Sequence, residues 1–326
     1  MDTTPPGLIS PSPMTAWLEA LRAAAEPTRL RLLALCAVGE WTVSELTQVI
    51  GQSQPRVSRH LKVLADAGLL DRFREGTWVF YRMAPGALGR SLVDLLPASP
   101  ELEADRRRLG DVRAERQRRA RRYFDGQAAA WEQVRALTVG DAEVDAVLLA
   151  LLRDAPPATL VDIGTGTGHI LRVLAPAIEF GLGIDLSLDM LAVARANLDA
   201  AGVANCQLRH GDMYQLPVAD RAFDCAVLHQ VLHFATEPEA VIREAARVVA
   251  PGGRLLVVDL ERHDVERLRQ DFAHRRLGFT DEEIGGWMRD AGLDLSTVRR
   301  LAGKVATIVV WQARAAEAAG QRSAAA

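Results

Sequence analysis

The sequence predicts two domains of different class: a small, mainly helical domain closed by a β-hairpin, then an α/β domain built on a mostly parallel sheet. Three observations predict this. Gln54 to Leu64 is a basic amphipathic segment, one tight turn after a shorter helix, and it leads into two β-prone runs around Glu75-Gly76. Leu160 to His169, LVDIGTGTGH, is an apolar run passing straight into three glycines at alternate positions and then into a helix. From Thr159 onward, apolar strand segments alternate with amphipathic helices, as in a parallel sheet covered on both faces.

Composition sets the outer limits. With 326 residues, 49% of them hydrophobic and 25% charged, the chain can bury two cores, and disorder is expected only at the ends, residues 1–14 and 314–326. MDTTPPGLISPSP has neither a basic n-region nor a long apolar core, and no later run reaches eighteen apolar residues, so a cytoplasmic protein with no membrane partner is expected. Cys36, Cys206 and Cys225 stand singly in apolar surroundings without C-x-x-C spacing, so they read as buried thiols, with no disulfide framework and no metal site. The net charge of −3 argues weakly for nucleic acid, so local arrangement has to carry any such function.

Residues 15–96 form the first expected domain. Trp17 to Ala25 reads as a helix, broken by Glu26-Pro27-Thr28 before a second helix, Arg29 to Ala37, which Gly39 ends. Thr42 caps TVSELTQVIG, with Glu45 at the capping-box position. After the turn Gly51-Gln52-Ser53, a further helix starts at Gln54 with Pro55 in its first turn, where a missing N–H costs little. Its stripe Val57, Leu61 and Leu64 is buried, leaving Arg56, Ser58, Arg59, His60 and Lys62 nearer solvent. Charges alone would make this a solvated face. The segments Leu69 to Arg74 and Thr77 to Met83 change the balance, because a helix-turn-helix followed at once by a wing bearing Arg72 and Arg74 implies DNA binding. The candidate DNA contacts are Gln52, Ser53, Gln54, Arg56, Ser58, Arg59, His60, Lys62, Arg72 and Arg74.

GQSQPRVSRHLKVLADAGLLDRFREGTWVFYRM resembles the winged-helix repressors of the ArsR/SmtB family, over roughly residues 15 to 85. The resemblance implies a homodimer formed through this domain, reading a double-stranded operator with inverted half-sites about one helical turn apart. Arsenic-sensing members carry metalloid-binding cysteines on the helix before the turn. Thr42, Ser44 and Thr47 stand there instead, and none supplies a thiolate.

Pro97 to Pro100 ends the first domain. Residues 97–122 are expected to be a charged helical linker, with nine arginines between Arg106 and Arg122 interleaved with acids at helical spacing. A solvated connecting helix is the favoured reading, with contact to DNA phosphates the minor one. Tyr123-Phe124-Asp125 and Trp131 break the polarity, and Val144 to Leu152 is an apolar helix, so the second domain is expected over residues 123–313.

In that domain the strands read TLVDIG, EFGLGIDL, CQLRHGD, FDCAVLHQVLHF and GGRLLVVDL, and ligands bind such sheets at the carboxyl ends of strands. A dinucleotide fingerprint would require a third glycine where His169 stands after Gly164, Gly166 and Gly168, so a different adenosine ligand is favoured. Asp185, followed by Leu186, ends the second strand, where a carboxylate can accept both ribose hydroxyls. Asp212 follows the third, where it can receive an adenine amino group while Met213 packs on the ring. Asp162 can contact the loop or a ligand amine. Any one of these acids alone could cap a helix, but three at successive strand ends are hard to attribute to capping.

VDIGTGTG, GIDLS, HGDMYQLP, FDCAVLHQVLHF and RVVAPGGRLLVVD resemble, in order, the motifs of class I S-adenosylmethionine-dependent methyltransferases, over about residues 123 to 312. The resemblance implies a Rossmann-like seven-stranded sheet with Val305 to Gln312 as a late strand. It also implies an S-adenosylmethionine or S-adenosylhomocysteine pocket, in which the glycine loop holds the amino-acid portion, Asp185 the ribose and Asp212 the adenine. Methyl transfer needs mainly proximity and a deprotonated acceptor, so no fixed catalytic residue is demanded. His229 and His233 follow the fourth strand, and either can remove an acceptor proton, His229 also contacting the cofactor. Packed, hydrogen-bonded histidines are the alternative, favoured for His233. HQVLH lacks the glutamate of H-E-x-x-H, and His263 and His274 have no assigned role.

Three functions follow. The first is a transcriptional repressor whose methyltransferase-like domain senses S-adenosylmethionine or S-adenosylhomocysteine, a fusion that resembles adenosylhomocysteine-responsive regulators of methionine-cycle genes. The second is a working methyltransferase acting on a small-molecule acceptor, with the winged helix regulating its own gene or recruiting the enzyme. The third, a metal or arsenite sensor, is weakened by the missing cysteines.

Overall fold

The computed structural model describes residues 13–75, 77–84, 87–125, 140–266, 275–303 and 306–317. The chain divides into two compact units between Glu115 and Arg116.

The first unit runs α1 (Pro13–Ala24), α2 (Pro27–Cys36), β1 (Trp41–Thr42), α3 (Val43–Ile50), α4 (Gln54–Asp66), β2 (Leu70–Glu75), β3 (Trp78–Met83), α5 (Ala87–Asp94) and the start of α6 (Pro100–Asp125). Pro27 opens α2 rather than only breaking α1, and the Glu26 side chain caps it by accepting from the Arg29 N–H at 2.9 Å. Thr42 and Glu45 form the full capping box of α3, and Gly51, at φ 71°, closes that helix in the left-handed conformation. Val57, Leu61 and Leu64 of α4 are wholly buried, against Leu32, Leu33, Trp41, Leu46 and Val49.

Three features depart from the sequence reading. Trp41-Thr42 adds a third strand, giving the antiparallel order β1-β3-β2. The hairpin strands pair from Leu70↔Met83 to Glu75↔Trp78, so Glu75 belongs to the strand and not to the turn. The helix expected to be solvated carries a buried seam in its first half. Leu109 and Val112 join the core of this unit, and the buried Asp105 accepts two 2.6 Å bonds from Arg31 and one from Arg108.

The second unit contains α7 (Asp141–Arg153), β4 (Thr159–Ile163), α8 (His169–Leu174), β5 (Phe180–Asp185), α9 (Leu188–Ala200), β6 (Cys206–His210), β7 (Phe223–His229), α10 (Pro238–Val248), β8 (Val249–Leu260), α11 (Asp281–Asp290), β9 (Leu293–Leu301) and β10 (Ile308–Ala315). The seven-stranded sheet has the order β6-β5-β4-β7-β8-β10-β9. Strands β4 to β8 pair in parallel, and β10 is antiparallel to both β8 and β9. This is the class I methyltransferase arrangement expected. One apolar cluster fills each face, around Phe279 and Trp311 on one side and around Leu148, Leu160 and Leu256 on the other. The late strand lies three residues beyond the expected Val305 to Gln312, and Arg314 and Ala315, placed with the disordered tail from sequence, end it. Likewise α1 begins at Pro13, inside the stretch expected to be disordered. Strand order reverses between β4 and β7, so the carboxyl ends of β4, β5 and β7 open the crevice where such sheets take ligands.

Candidate functional site

The glycine loop leaves β4 at this crevice. Gly164, Gly166 and Gly168 all have positive φ, at 73°, 52° and 75°. At Gly164 a Cβ would lie 2.4 Å from Val231 Cγ2, whereas at Gly166 it would meet nothing within 4 Å, so this second glycine borders open space. The Gly164 and Thr165 N–H groups both donate to Ile184 O, which ties the loop to β5. Asp185 at the end of β5 accepts from the Gly166 N–H and the Ser187 N–H, each at 2.8 Å. It therefore shapes the loop from below while each oxygen keeps a second lone pair. Leu186 beside it is 63% exposed, available to a ligand face.

Asp162 is the most perturbed acid here. One carboxylate oxygen accepts from Thr165 Oγ1 at 2.6 Å, and the other, Oδ1, is buried with no partner among the described residues. Burial pushes the carboxyl up to about 7, against the pull of the Thr165 bond and with help from the nearby Asp185 charge. Asp212 follows β6, is exposed, and accepts from the Tyr214 N–H at 3.0 Å through Oδ1. Met213 packs partly on the adjoining core. An orphaned buried carboxylate oxygen, an open glycine and two strand-end acids fit a nucleoside with a cationic amino-acid arm.

The two candidate histidines part company. His229 ends β7, and Gln230 follows at φ 50°, an uncommon conformation for a residue with a side chain, held by its N–H donating to Val258 O at 2.7 Å. The chain then makes a single 3₁₀ turn over Leu232–Phe234, so His229 and His233 do not share a helix face. Burial, and then the proximity of His169, lower the His229 pKa to about 4, so this imidazole is neutral. Its ring centroid lies 6.4 Å from that of His169, whose Nε2 is 2.8 Å from Asp145 on α7. His233 is buried, with Nδ1 2.8 Å from Asp259, and the Leu232 and His233 N–H groups also donate to that carboxylate. Burial opposes ionisation of Asp259, but the His233 ring and the Leu260 and His233 N–H groups outweigh it and hold the carboxyl below its ordinary range. His263 is half-buried, accepts from the Val265 N–H, and is also held in the neutral direction by burial. His274, like Trp131, lies outside the described residues.

Sequence reasoning missed Asp145 and His169, which meet only across two helices, as well as Gln230 and Asp259. It also missed Gly183, where a Cβ would lie 2.8 Å from Thr165 Oγ1; this glycine makes room for the hydroxyl that holds Asp162. Its signal is an otherwise unexplained glycine inside a buried strand.

On the first unit, Ser53, Gln54, Arg56, Arg59 and Lys62 are exposed along the start and outer face of α4, and Arg72 and Arg74 are exposed at alternate positions of β2. Ser58 is half-buried. Two other candidates turn inward: Gln52 Nε2 is 3.2 Å from Thr28 Oγ1, and His60 Nδ1 is 3.5 Å from Glu26. These two brace α4 against α2. Lys62 pairs with Asp66 at 2.6 Å in solvent. At the wing base, Arg82 bonds Glu40 and Asp71 and stacks over Phe73, while Trp78 is half exposed near the tip. Of the three positions aligned with metalloid-binding cysteines, Thr42 is the buried cap of α3.

Fold and loop together define a class I methyltransferase domain, and the winged unit defines a DNA-binding class. Residues 26–72 match the family described as bacterial regulatory protein, arsR family, and residues 161–257 match the methyltransferase domain. The chain thus carries an arsR-family domain followed by a methyltransferase domain. It is 35% identical over 155 residues to an arsenite methyltransferase of Aquipseudomonas alcaligenes, covering 38% of this chain and 45% of that one. It is 36% identical over 117 residues to a demethylmenaquinone methyltransferase of Thermus thermophilus, covering 35% and 51%. The chain spans about half the length of the curated relatives it matches. A solved chain from the complex of the Haloferax volcanii Trm112 methyltransferase activator and a methyltransferase shares the fold, with a TM-score of 0.51 at 22% identity, covering 60% of this chain and 96% of that one. Among the described residues no helix is long and apolar enough to cross a membrane.

Proposed function

We propose that the chain is a DNA-binding transcriptional repressor whose methyltransferase domain binds S-adenosylmethionine or S-adenosylhomocysteine and couples that binding to operator affinity. The observation that carries this reading is one chain holding both an exposed basic helix with wing and a glycine loop beside a buried Asp162 oxygen that lacks a partner among the described residues. The loop from Gly164 to Gly168 would hold the amino-acid portion, Asp162 its amine, Asp185 the ribose hydroxyls, and Asp212 with Met213 the adenine. Arg56, Arg59, Arg72 and Arg74 would meet the operator, as a homodimer on an inverted repeat. Gel-shift titration on a duplex selected from random DNA tests the coupling: operator affinity changes with added S-adenosylhomocysteine. Unchanged affinity at saturating nucleoside overturns it.

A second reading, methyl transfer to a small molecule, is favoured by His229. A neutral imidazole at the strand end beside the loop can accept a proton from an acceptor N–H or O–H. S-adenosylmethionine, when bound, supplies a sulfonium methyl group. Although two relatives are named arsenite methyltransferases, soft metalloids need thiolates. Cys36 and Cys225 are buried here, Cys206 is half-buried, and burial raises all three thiols. A nitrogen or oxygen acceptor suits this chain better. Repeated turnover of labelled methyl donor with cell-extract metabolites tests it; no turnover with any acceptor class leaves the sensor alone.

A further inference from the structure

We infer that a second ligand site lies at the opposite edge of the sheet, where an arginine-lined cavity between α7 and strands β8, β10 and β9 takes a small dianion of the phosphate or dicarboxylate class. The cavity, open to solvent on one side, has a volume of about 370 Å³, enough for a small metabolite, and is lined by Arg254, Arg299, Arg314 and Gln312 with Leu151 of α7. Register fixes its place. Leu160 near the start of β4 pairs with Cys225, Cys225 with Arg254, and Arg254 with Arg314. Arg254 and Arg314 therefore sit level with the amino-terminal ends of the parallel strands, whereas Arg299, opposite Val310, lies further along β9, and the glycine loop leaves the carboxyl ends of the parallel strands.

Charge is the first argument. Three arginines line the cavity, and Asp154 is the one acid in its lining. Among the described residues, none of the three arginines forms an ion pair. Arg254 is buried, and its donors go to neutral partners, the carbonyls of Leu151, at 3.1 Å, and of Ala155 at the end of α7. Capping α7 accounts for Arg254, but it leaves the buried charge uncompensated, and it accounts for neither Arg299 nor Arg314. Burial, with the Arg314 charge, holds the Arg254 guanidinium below its ordinary range against the opposing pull of Cys225 and Asp224.

Gln312 supplies a second, independent argument. It is 5% exposed, its Nε2 is 3.3 Å from Ser296 Oγ, and its Oε1 is buried without a partner among the described residues. Ser296 is the extra residue of a β-bulge, since Gln312 pairs with Thr297 and Ala313 with Leu295. Bulges of this kind re-aim neighbouring side chains at functional sites. An unpartnered buried amide oxygen on a residue that lines a cationic cavity suits a ligand that brings a hydroxyl or a protonated phosphate oxygen with its charge.

The full-length protein is titrated with inorganic phosphate and separately with succinate, at constant ionic strength against chloride, by thermal melting and calorimetry. Saturable stabilisation by either dianion and not by chloride is expected, and the stronger of the two identifies the ligand class. Arg299→Ala and Arg314→Ala, both at exposed positions, should each weaken it by at least about tenfold while melting cooperatively at the wild-type temperature without ligand. Stabilisation that does not saturate, that chloride matches, or that both variants retain overturns the inference, and none of these outcomes bears on nucleoside binding at the glycine loop.

Discussion

Asp162 is the residue at which protonation and ligand binding meet. Its carboxyl is raised from 3.8 to about 7, so the stabilisation it gives is present below pH 3.8 and lost as the pH rises through 7. His229 has the opposite sign: its pKa falls from 6.5 to about 4, so its contribution is present above pH 6.5 and lost as the pH falls through 4. Asp162→Asn should remove the first slope and His229→Asn the second, in urea denaturation measured between those limits. A cationic amine seated against the free Asp162 oxygen would also drive the carboxyl to ionise. S-adenosylhomocysteine binding at pH 6 is therefore expected to release a proton, read as a dependence of calorimetric heat on the buffer's ionisation enthalpy, and Asp162→Asn should abolish it. The glycines separate stability from binding in a similar way. Gly164→Ala meets both positive φ and Val231, so it should destabilise by about 2–4 kcal/mol, whereas Gly166→Ala meets only φ strain of about 1 kcal/mol and mainly loses the ligand. Thermal melting with nucleoside calorimetry checks both. The glycines were legible in the sequence because alternate positive φ demands glycine. Val231, Thr165 and Gly183 were not, because their constraint is a contact made only after the sheet closes.

At the scale of elements, α6 shows where charge patterning misleads. Its arginines and acids alternate as on a solvated helix, yet Asp105 is buried and takes Arg31 and Arg108, and Leu109 and Val112 join the winged-helix core. Two apolar residues among nine arginines gave no periodic signal, and a carboxylate bound for an arginine 74 positions away looks like any surface acid. Asp105→Ala should therefore cost roughly 3–5 kcal/mol in urea denaturation of the first unit, since it leaves the half-buried Arg31 guanidinium unpaired, whereas Arg106→Ala should fall within about 0.5 kcal/mol. The α4–wing pair was legible almost to the residue, because a proline-started amphipathic helix and an alternating hairpin are local patterns. Strand β1 was not, since two residues become a strand only by pairing with Tyr81 and Phe80. If the wing meets phosphates, Arg72→Ala and Arg74→Ala should each lower the salt slope of operator binding by about one, leaving sequence preference intact.

At the scale of the whole molecule, a shared chain does not by itself couple the two units; coupling requires that the nucleoside bind two states of the protein with different affinity. It is then reciprocal. If saturating S-adenosylhomocysteine changes operator affinity by a factor within the typical range of about 5–150-fold, saturating operator must change nucleoside affinity by the same factor. Gly166→Ala provides the control, because it fills the open side of the loop and lies outside the winged unit's sequence. The variant should bind operator with the wild-type affinity in the absence of nucleoside and show no response when nucleoside is added. Equal factors in the wild type and a silent variant identify occupancy of the loop as the signal. Unequal factors would mean that the nucleoside acts on DNA binding by another route, and a variant that still responds would place the sensing site away from the glycine loop.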